Sequence, residues 1–331
     1  MYYSKGKACS ALLWSAFKGC KNIAELLIVN GASVHVIDDK GYSPLHVASK
    51  EGHEHVVELL IVNGAEIDAR TEDGCTPLYM AAWGQHRGIA RLLLDNGAII
   101  EPDIAVMLGD VELVKHYLDL GLDANSKLAR GFTKGESWLM TAISSKNSNV
   151  VKLLMNHGAN LNGSMEFKDV SPLHRASAIG CQDICKFLIN RGADVNAKGK
   201  YGKSPLYLAT QFGHQDVVEF LLDCGADVNA LDFKRSSPLF GAAQNHHLQV
   251  VKSLLSRGAE VNLTDDEGWT PLLRAFQKSG GDEIIKSLVN HSANVNVRGC
   301  GGESPLHIAV AQNNKNIVEL LLSNGAREGL E

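Results

Sequence analysis

No apolar run in this 331-residue sequence approaches the ~18–20 residues that a membrane-crossing helix needs. Neither sign of charge dominates. The 32 basic and 37 acidic residues leave a net charge of −5, which argues against a chain that holds nucleic acid by bulk electrostatics. The seven cysteines (9, 20, 75, 181, 185, 224 and 300) are odd in number and lack framework spacing, so reduced thiols in a cytoplasmic or nuclear setting are expected. Also missing are a phosphate-cradling glycine loop, a G-x-S-x-G elbow, an H-E-x-x-H pair and a carboxylate pair with a plausible cleft. These gaps leave no expected catalytic residue, cofactor or metal, and the expectation is a protein that is not an enzyme. Lys5 and Lys7 before the apolar run 8–17 could imitate a signal peptide, but the repeat described next uses that run as a helix.

The sequence does have internal periodicity. A Gly-Ala pair closes successive units at Gly31, Gly64, Gly97, Gly158, Gly192, Gly225, Gly258 and Gly325. Gly121-Leu122 and Ser292-Ala293 are variants of it. The markers lie 33, 33, 24, 37, 34, 33, 33, 34 and 33 residues apart, which makes ten units. Inside them S-P-L-H-V-A (43–48) recurs as T-P-L-Y-M-A (76–81), S-P-L-H-R-A (171–176), S-P-L-Y-L-A (204–209), S-P-L-F-G-A (237–242), T-P-L-L-R-A (270–275) and S-P-L-H-I-A (304–309). Degenerate copies stand at 10–15 and 137–142.

Elementary chemistry explains the pattern. Ser or Thr caps a helix by accepting from an orphan N–H. Proline then occupies the first helical position, where it forfeits no bond. Seven of the eight prolines hold this slot, and Pro102 starts the first helix of the short fourth unit. A second helix follows, with apolar residues at helical spacing such as Val56, Val57, Leu60 and Ile61, and glycine closes it in a left-handed conformation. One such unit cannot bury its apolar face alone, so neighbours must stack.

Signature and period together resemble the ankyrin-repeat family over nearly the whole chain. The resemblance implies an all-α solenoid of about ten helix-turn-helix units with projecting β-hairpin loops, elongated and curved. A single array over 1–329 is expected, with units ending near 33, 66, 99, 123, 160, 194, 227, 260, 294 and 327. An irregular junction at 101–136 separates units one to four from units five to ten: the fourth unit lacks room for a hairpin, and the fifth has four extra residues within 126–136. The last second helix looks uncapped, so the chain is expected to be monomeric unless that repeat pairs. Leu330-Glu331 at the end reads as a vector remnant.

The resemblance further implies a non-catalytic scaffold or adaptor that binds a protein through hairpin tips and the concave face of the first helices. Alternatives are the substrate-recognition part of an assembly such as a ubiquitin ligase, a host-targeting effector, or nucleic-acid binding through a basic hairpin edge. It assigns structural roles to His46, His174 and His307, and to His53, His86, His214 and His247. It also raises hydroxylation at Asn196, Asn229, Asn262 and Asn296. Aromatics stand where the repeat needs no core residue: Tyr42, Trp83, Tyr201, Phe212, Phe233 and Trp269. Trp14 and Trp138 read as structural. Hairpin charge is acidic in units two and three (Asp38, Asp39, Glu72, Asp73) and again in unit nine (Asp265, Asp266, Glu267). It is basic between them, at Arg130, Lys134, Lys168, Lys198, Lys200, Lys203, Lys234 and Arg235. The expected partner-binding residues are Tyr42, Trp83, Lys200, Tyr201, Lys203, Phe212, Phe233, Lys234, Arg235 and Trp269, and the expected partner carries an acidic segment.

Overall fold

The computed structural model describes residues 10–131, 134–161, 170–278 and 280–327. Lys5, Lys7, Lys168, Leu330 and Glu331 lie outside them. The chain divides into two compact units, Met1–Asn160 and Leu161–Glu331.

Unit 1 contains five helix pairs: α1 (Ala11–Lys18) with α2 (Lys21–Val29), α3 (Pro44–Glu51) with α4 (Glu54–Val62), α5 (Pro77–Trp83) with α6 (Arg87–Asp95), α7 (Pro102–Leu108) with α8 (Val111–Asp119), and α9 (Trp138–Ser144) with α10 (Ser148–Asn156). Unit 2 contains α11 (Pro172–Ile179) with α12 (Gln182–Asn190), α13 (Pro205–Phe212) with α14 (Gln215–Asp223), α15 (Pro238–Gln244) with α16 (Leu248–Ser256), α17 (Pro271–Ala275) with α18 (Asp282–Asn290), and α19 (Pro305–Ala311) with α20 (Lys315–Ser323). All eight prolines sit at the first helical position. The Ser or Thr before seven of them accepts from the N–H three residues on.

Within each unit, first helices stack on first helices and second on second. The signature leucine is buried in every copy (Leu45, Leu78, Leu173, Leu206, Leu239, Leu272, Leu306), and so is the alanine three residues later. Alanine has no side chain beyond Cβ, so the neighbouring first helix can approach closely. Burying each leucine contributes about 1.5–3 kcal/mol. The core is thus a set of similar layers, each completed by its neighbour.

Polar ties repeat with the same period. His46 Nε2 donates to the Cys75 carbonyl (3.1 Å), and His174 Nε2 to that of Lys203 (3.0 Å). A carbonyl only accepts, so Nε2 carries the proton and Nδ1 takes a bond from the capping hydroxyl of Ser43 or Ser171. Burial holds the pKa of both imidazoles below the usual histidine range. His53, His86, His214 and His247 reach back to carbonyls of the preceding first helix, at Phe17, Lys50, Ala178 and Gln211. An asparagine row makes the third tie. Asn229 Nδ2 donates to the Gly258 carbonyl (3.4 Å) while its Oδ1 accepts from Glu260 N–H (2.8 Å), and Asn125, Asn196, Asn262 and Asn296 repeat the arrangement.

The projecting fingers are tight turns, each closed by two backbone bonds, as in Asp232 N–H to Ser236 O and Arg235 N–H to Asp232 O. They are too short for a strand ladder. The described residues contain only an isolated antiparallel bridge, between Lys127 and Ser137.

The 101–136 segment lies within unit 1. No finger precedes α7, and the enlarged fifth finger folds back over the gap. Leu128 and Glu136 are buried there. Tyr79 Oη donates to the Arg130 carbonyl (3.2 Å). The Arg130 guanidinium pairs with Glu101 (3.0 Å) and donates to the Gly74 carbonyl (3.3 Å). Arg70 grips the same two acceptors at 2.8 and 3.1 Å. The described part of the enlarged finger, at Arg130, therefore occupies space left by the missing finger. Trp138 replaces the first-position proline, is buried, and donates from Nε1 to Asp103 at 2.7 Å. Trp14, also expected to be structural, meets an aromatic neighbour of its own helix. It is 43% exposed and packs edge-on against Phe17, in a slot where the smaller Val47 and Met80 are covered.

Candidate protein-interaction surface

Of the expected binding residues, unit 1 carries two and unit 2 eight. In unit 1, Trp83 ends α5 and is 41% exposed, with Lys50 Nζ 5.7 Å from its ring centroid. Tyr42 is only half-exposed and meets the His46 ring edge-on at 6.0 Å. Burial raises the Tyr42 phenol to about 12. Tyr42 therefore supports the finger base more than it displays a ring.

In unit 2 two neighbouring fingers form one patch. The 3-10 turn Lys200–Gly202 is the tip of the first, and residues 232–236 make the second. Phe233 N–H donates to the Tyr201 carbonyl at 2.8 Å, which joins tip to tip. The Phe233 ring lies so close over Gly202 that a Cβ there would collide with it, which is why this position must be glycine. Tyr201, Phe233 and Phe212 are exposed by 60, 70 and 54%, enough for a partner to cover. Lys200 Nζ sits 4.7 Å from the Tyr201 ring centroid. Phe212 stacks on His214 at 6.4 Å, at the end of α13.

The cations differ in availability. Lys198, Lys200, Lys234 and Arg235 are exposed, and among the described residues none pairs with a carboxylate. The carboxylate that could neutralise them locally is occupied: Asp232 is buried and accepts from the Lys234 and Ser236 N–H groups at 2.9 Å each. Lys203 is half-buried, over the Tyr207 ring (4.5 Å) and bonded to Gln211 Oε1 (3.1 Å). Burial lowers its pKa. Arg130, in contrast, is already held by Glu101 and is not a free cation of the edge.

Trp269 is tied up by a residue that the repeat pattern does not single out. The Arg274 guanidinium lies between the Trp269 and Phe240 rings, at 4.7 and 4.8 Å, and pairs with Asp265 (3.0 Å) and Glu267 (3.7 Å). Arg274 thus neutralises part of the ninth finger's acid and holds Trp269 half-buried. The sequence signal was an arginine in the variable slot of T-P-L-L-R-A, nine residues after Asp265. The surface that emerges has two basic, aromatic fingers followed by one whose acid is partly spent internally. Its groups suit recognition of a polypeptide: exposed rings for contact area and unpaired cations for complementary charge.

Residues 12–104, 102–199 and 239–330 match the family profile described as ankyrin repeats (3 copies), and 201–233 match that of the ankyrin repeat. Among curated proteins, an ankyrin repeat protein of Fowlpox virus (strain NVSL) is 41% identical over 69 residues, 21% of this chain and 37% of its own length. The B-cell lymphoma 3 protein homolog of Mus musculus is 36% identical over 95 residues, 29% of this chain and 20% of its own length. The matched regions thus span well under half of either relative.

Proposed function

Because this chain belongs to the ankyrin-repeat family, whose repeats mark a protein-protein interaction scaffold, we propose that it is a non-catalytic adaptor that takes its partner on the fingers and first helices of unit 2. The observation that carries this reading is the joined pair of fingers at 199–203 and 232–236, with exposed rings and unpaired cations side by side. The partner segment is acidic. It meets Lys200, Lys234 and Arg235, while Tyr201, Phe212 and Phe233 supply the contact area. Charge then governs the rate of encounter more than the lifetime of the complex. Cys20, Cys75, Cys185, Cys224 and Cys300 are free thiols, which fits a reducing compartment.

The test is selection of a displayed library of random sixteen-residue peptides on the immobilised full chain. Recovered peptides are then titrated against wild type and Tyr201→Ala/Phe212→Ala/Phe233→Ala. Exposed anchor rings contribute on the order of 1–2 kcal/mol each when a partner covers them, so at least a tenfold loss is expected. Equal affinity for wild type and triple variant would refute this face. Lys200→Glu/Lys234→Glu/Arg235→Glu should slow association and flatten its salt dependence; unchanged kinetics would remove the acidic segment from the proposal.

A further inference from the structure

Five of the tight fingers place glycine at the position where the chain turns back with positive φ: Gly41, Gly74, Gly202, Gly268 and Gly302. Among the described fingers of this kind, only that at 232–236 puts another residue there, Arg235, with φ 59°. An L-residue in this region crowds its own Cβ against the backbone, and glycine does not. The neighbouring finger carries a second such residue one position before its glycine, Tyr201 with φ 63°. The two strained residues belong to tips that are bonded to each other through Phe233 N–H and the Tyr201 carbonyl.

Between paired helices a left-handed non-glycine residue is common, at Gln85, Lys146, His246 and Asn313, and His246 there donates to the Ala275 carbonyl at 3.1 Å, whereas in the described tight fingers the glycine position is given up only at Arg235. Arg235 has no such duty. Arg70, Arg130, Arg257 and Arg274 each hold a carboxylate of this chain, whereas Arg235 is exposed and holds none among the described residues. A backbone strain that glycine would relieve, under an exposed side chain that holds no carboxylate among the described residues, points to use of that side chain outside the fold.

We propose that Arg235 is the specificity-determining residue of this surface, taking one carboxylate side chain of an extended acidic segment in its guanidinium fork, with the Tyr201 and Phe233 rings beside it. This rests on the interaction reading above and deepens it. The planar fork suits a two-oxygen acceptor. Asp266 and Glu267 on the following finger are exposed, so the basic patch ends after two fingers. That short extent fits a local cluster of carboxylates better than the continuous phosphate track of a nucleic acid.

The test uses the full chain, wild type, Arg235→Gly and Arg235→Lys. The probes are a fluorescein-labelled twelve-residue oligo-glutamate, an oligo-glutamine of equal length and a twelve-nucleotide oligo-dT. Wild type should prefer oligo-glutamate. Arg235→Gly should weaken that binding at least fivefold while its melting temperature rises by about 1–3 °C. Arg235→Lys, which keeps the charge without the fork, should fall between. Opposite signs in binding and stability are a signature that a structural arginine cannot give. Binding within twofold of wild type in Arg235→Gly, a lowered melting temperature, or tighter binding of oligo-dT would each overturn the proposal. If the aromatic triple variant still loses the library peptides while oligo-glutamate ignores Arg235, only this inference falls.

Discussion

The ties between repeats can be weighed by comparing two histidines in the same motif, S-P-L-H at 43–46 and at 304–307. His46 is wholly buried, and its ring bonds both its own cap and the Cys75 carbonyl of the next finger. His307 keeps the bond to Ser304 (2.7 Å), but its ring is exposed. His46→Ala leaves the buried Ser43 N–H without its ring partner and removes one of two bonds to the Cys75 carbonyl, which still accepts from Thr71 N–H. At about 1–3 kcal/mol for the buried N–H left unpaired and about 0.5–1.5 kcal/mol for the lost inter-finger bond, the loss should be about 2–4 kcal/mol. His307→Ala should cost less than about 1 kcal/mol, because water replaces what is lost. Urea denaturation gives the totals, and hydrogen exchange at the 71–75 finger shows whether the loss is local. Equal costs at the two sites would refute the claim that the inter-finger bond, rather than the motif, carries the energy.

A pH effect follows from the same ring. The fold favours neutral His46, so its pKa lies below the unfolded value. The unfolded chain therefore binds the proton more readily. The stabilisation is complete above about pH 6.5 and is lost as pH falls through the folded value. Wild type should lose more stability than His46→Ala between about pH 7.5 and 5, and parallel losses would contradict this sign.

Three further outcomes follow. Trp138→Phe removes a 2.7 Å bond to a carboxylate while keeping an aromatic ring, and should cost about 1.5–3 kcal/mol by urea denaturation. Asn229→Ala deletes two inter-repeat bonds at an exposed site and should cost about 1–2 kcal/mol, with faster amide exchange at Glu260 as the local readout. Glu101→Ala should unclamp Arg130, so that trypsin cuts after Arg130 faster than in wild type; an unchanged cleavage rate would show that the fold-back is held without Glu101, by bonds such as those of Arg130 to Tyr79 and to the Gly74 carbonyl.

Much of this architecture is legible in the sequence because its determinants are local. A capping hydroxyl, a first-position proline and a closing glycine act within a few residues, so their recurrence marks the helices directly. Ser292 shows the same logic by exception: it takes the glycine's place with φ 67°. What could not be read depends on neighbours distant in sequence. Arg130 looks like one more edge cation until Glu101 is brought against it from 29 residues away. Trp269 looks like a free anchor until Arg274 slides beneath it. Trp14 occupies a slot that is covered at Val47 and Met80, yet it is 43% exposed. Tyr201, Phe212 and Phe233 keep much of their rings exposed, and their contacts are with residues one or two positions away or on the adjacent finger.

The asparagine row has a mechanical consequence. Within unit 2 each amide joins one repeat only to the next, as Asn196 to Gly225 and Asn229 to Gly258. Pulled from its ends, such a stack behaves as links in series: every link carries the same force, and the weakest yields first. Each rupture frees one repeat of 33 or 34 residues, which extends to roughly 110–120 Å of slack. Unit 2 should therefore stretch as a spring that lengthens in steps and regains its links one at a time when the load is removed.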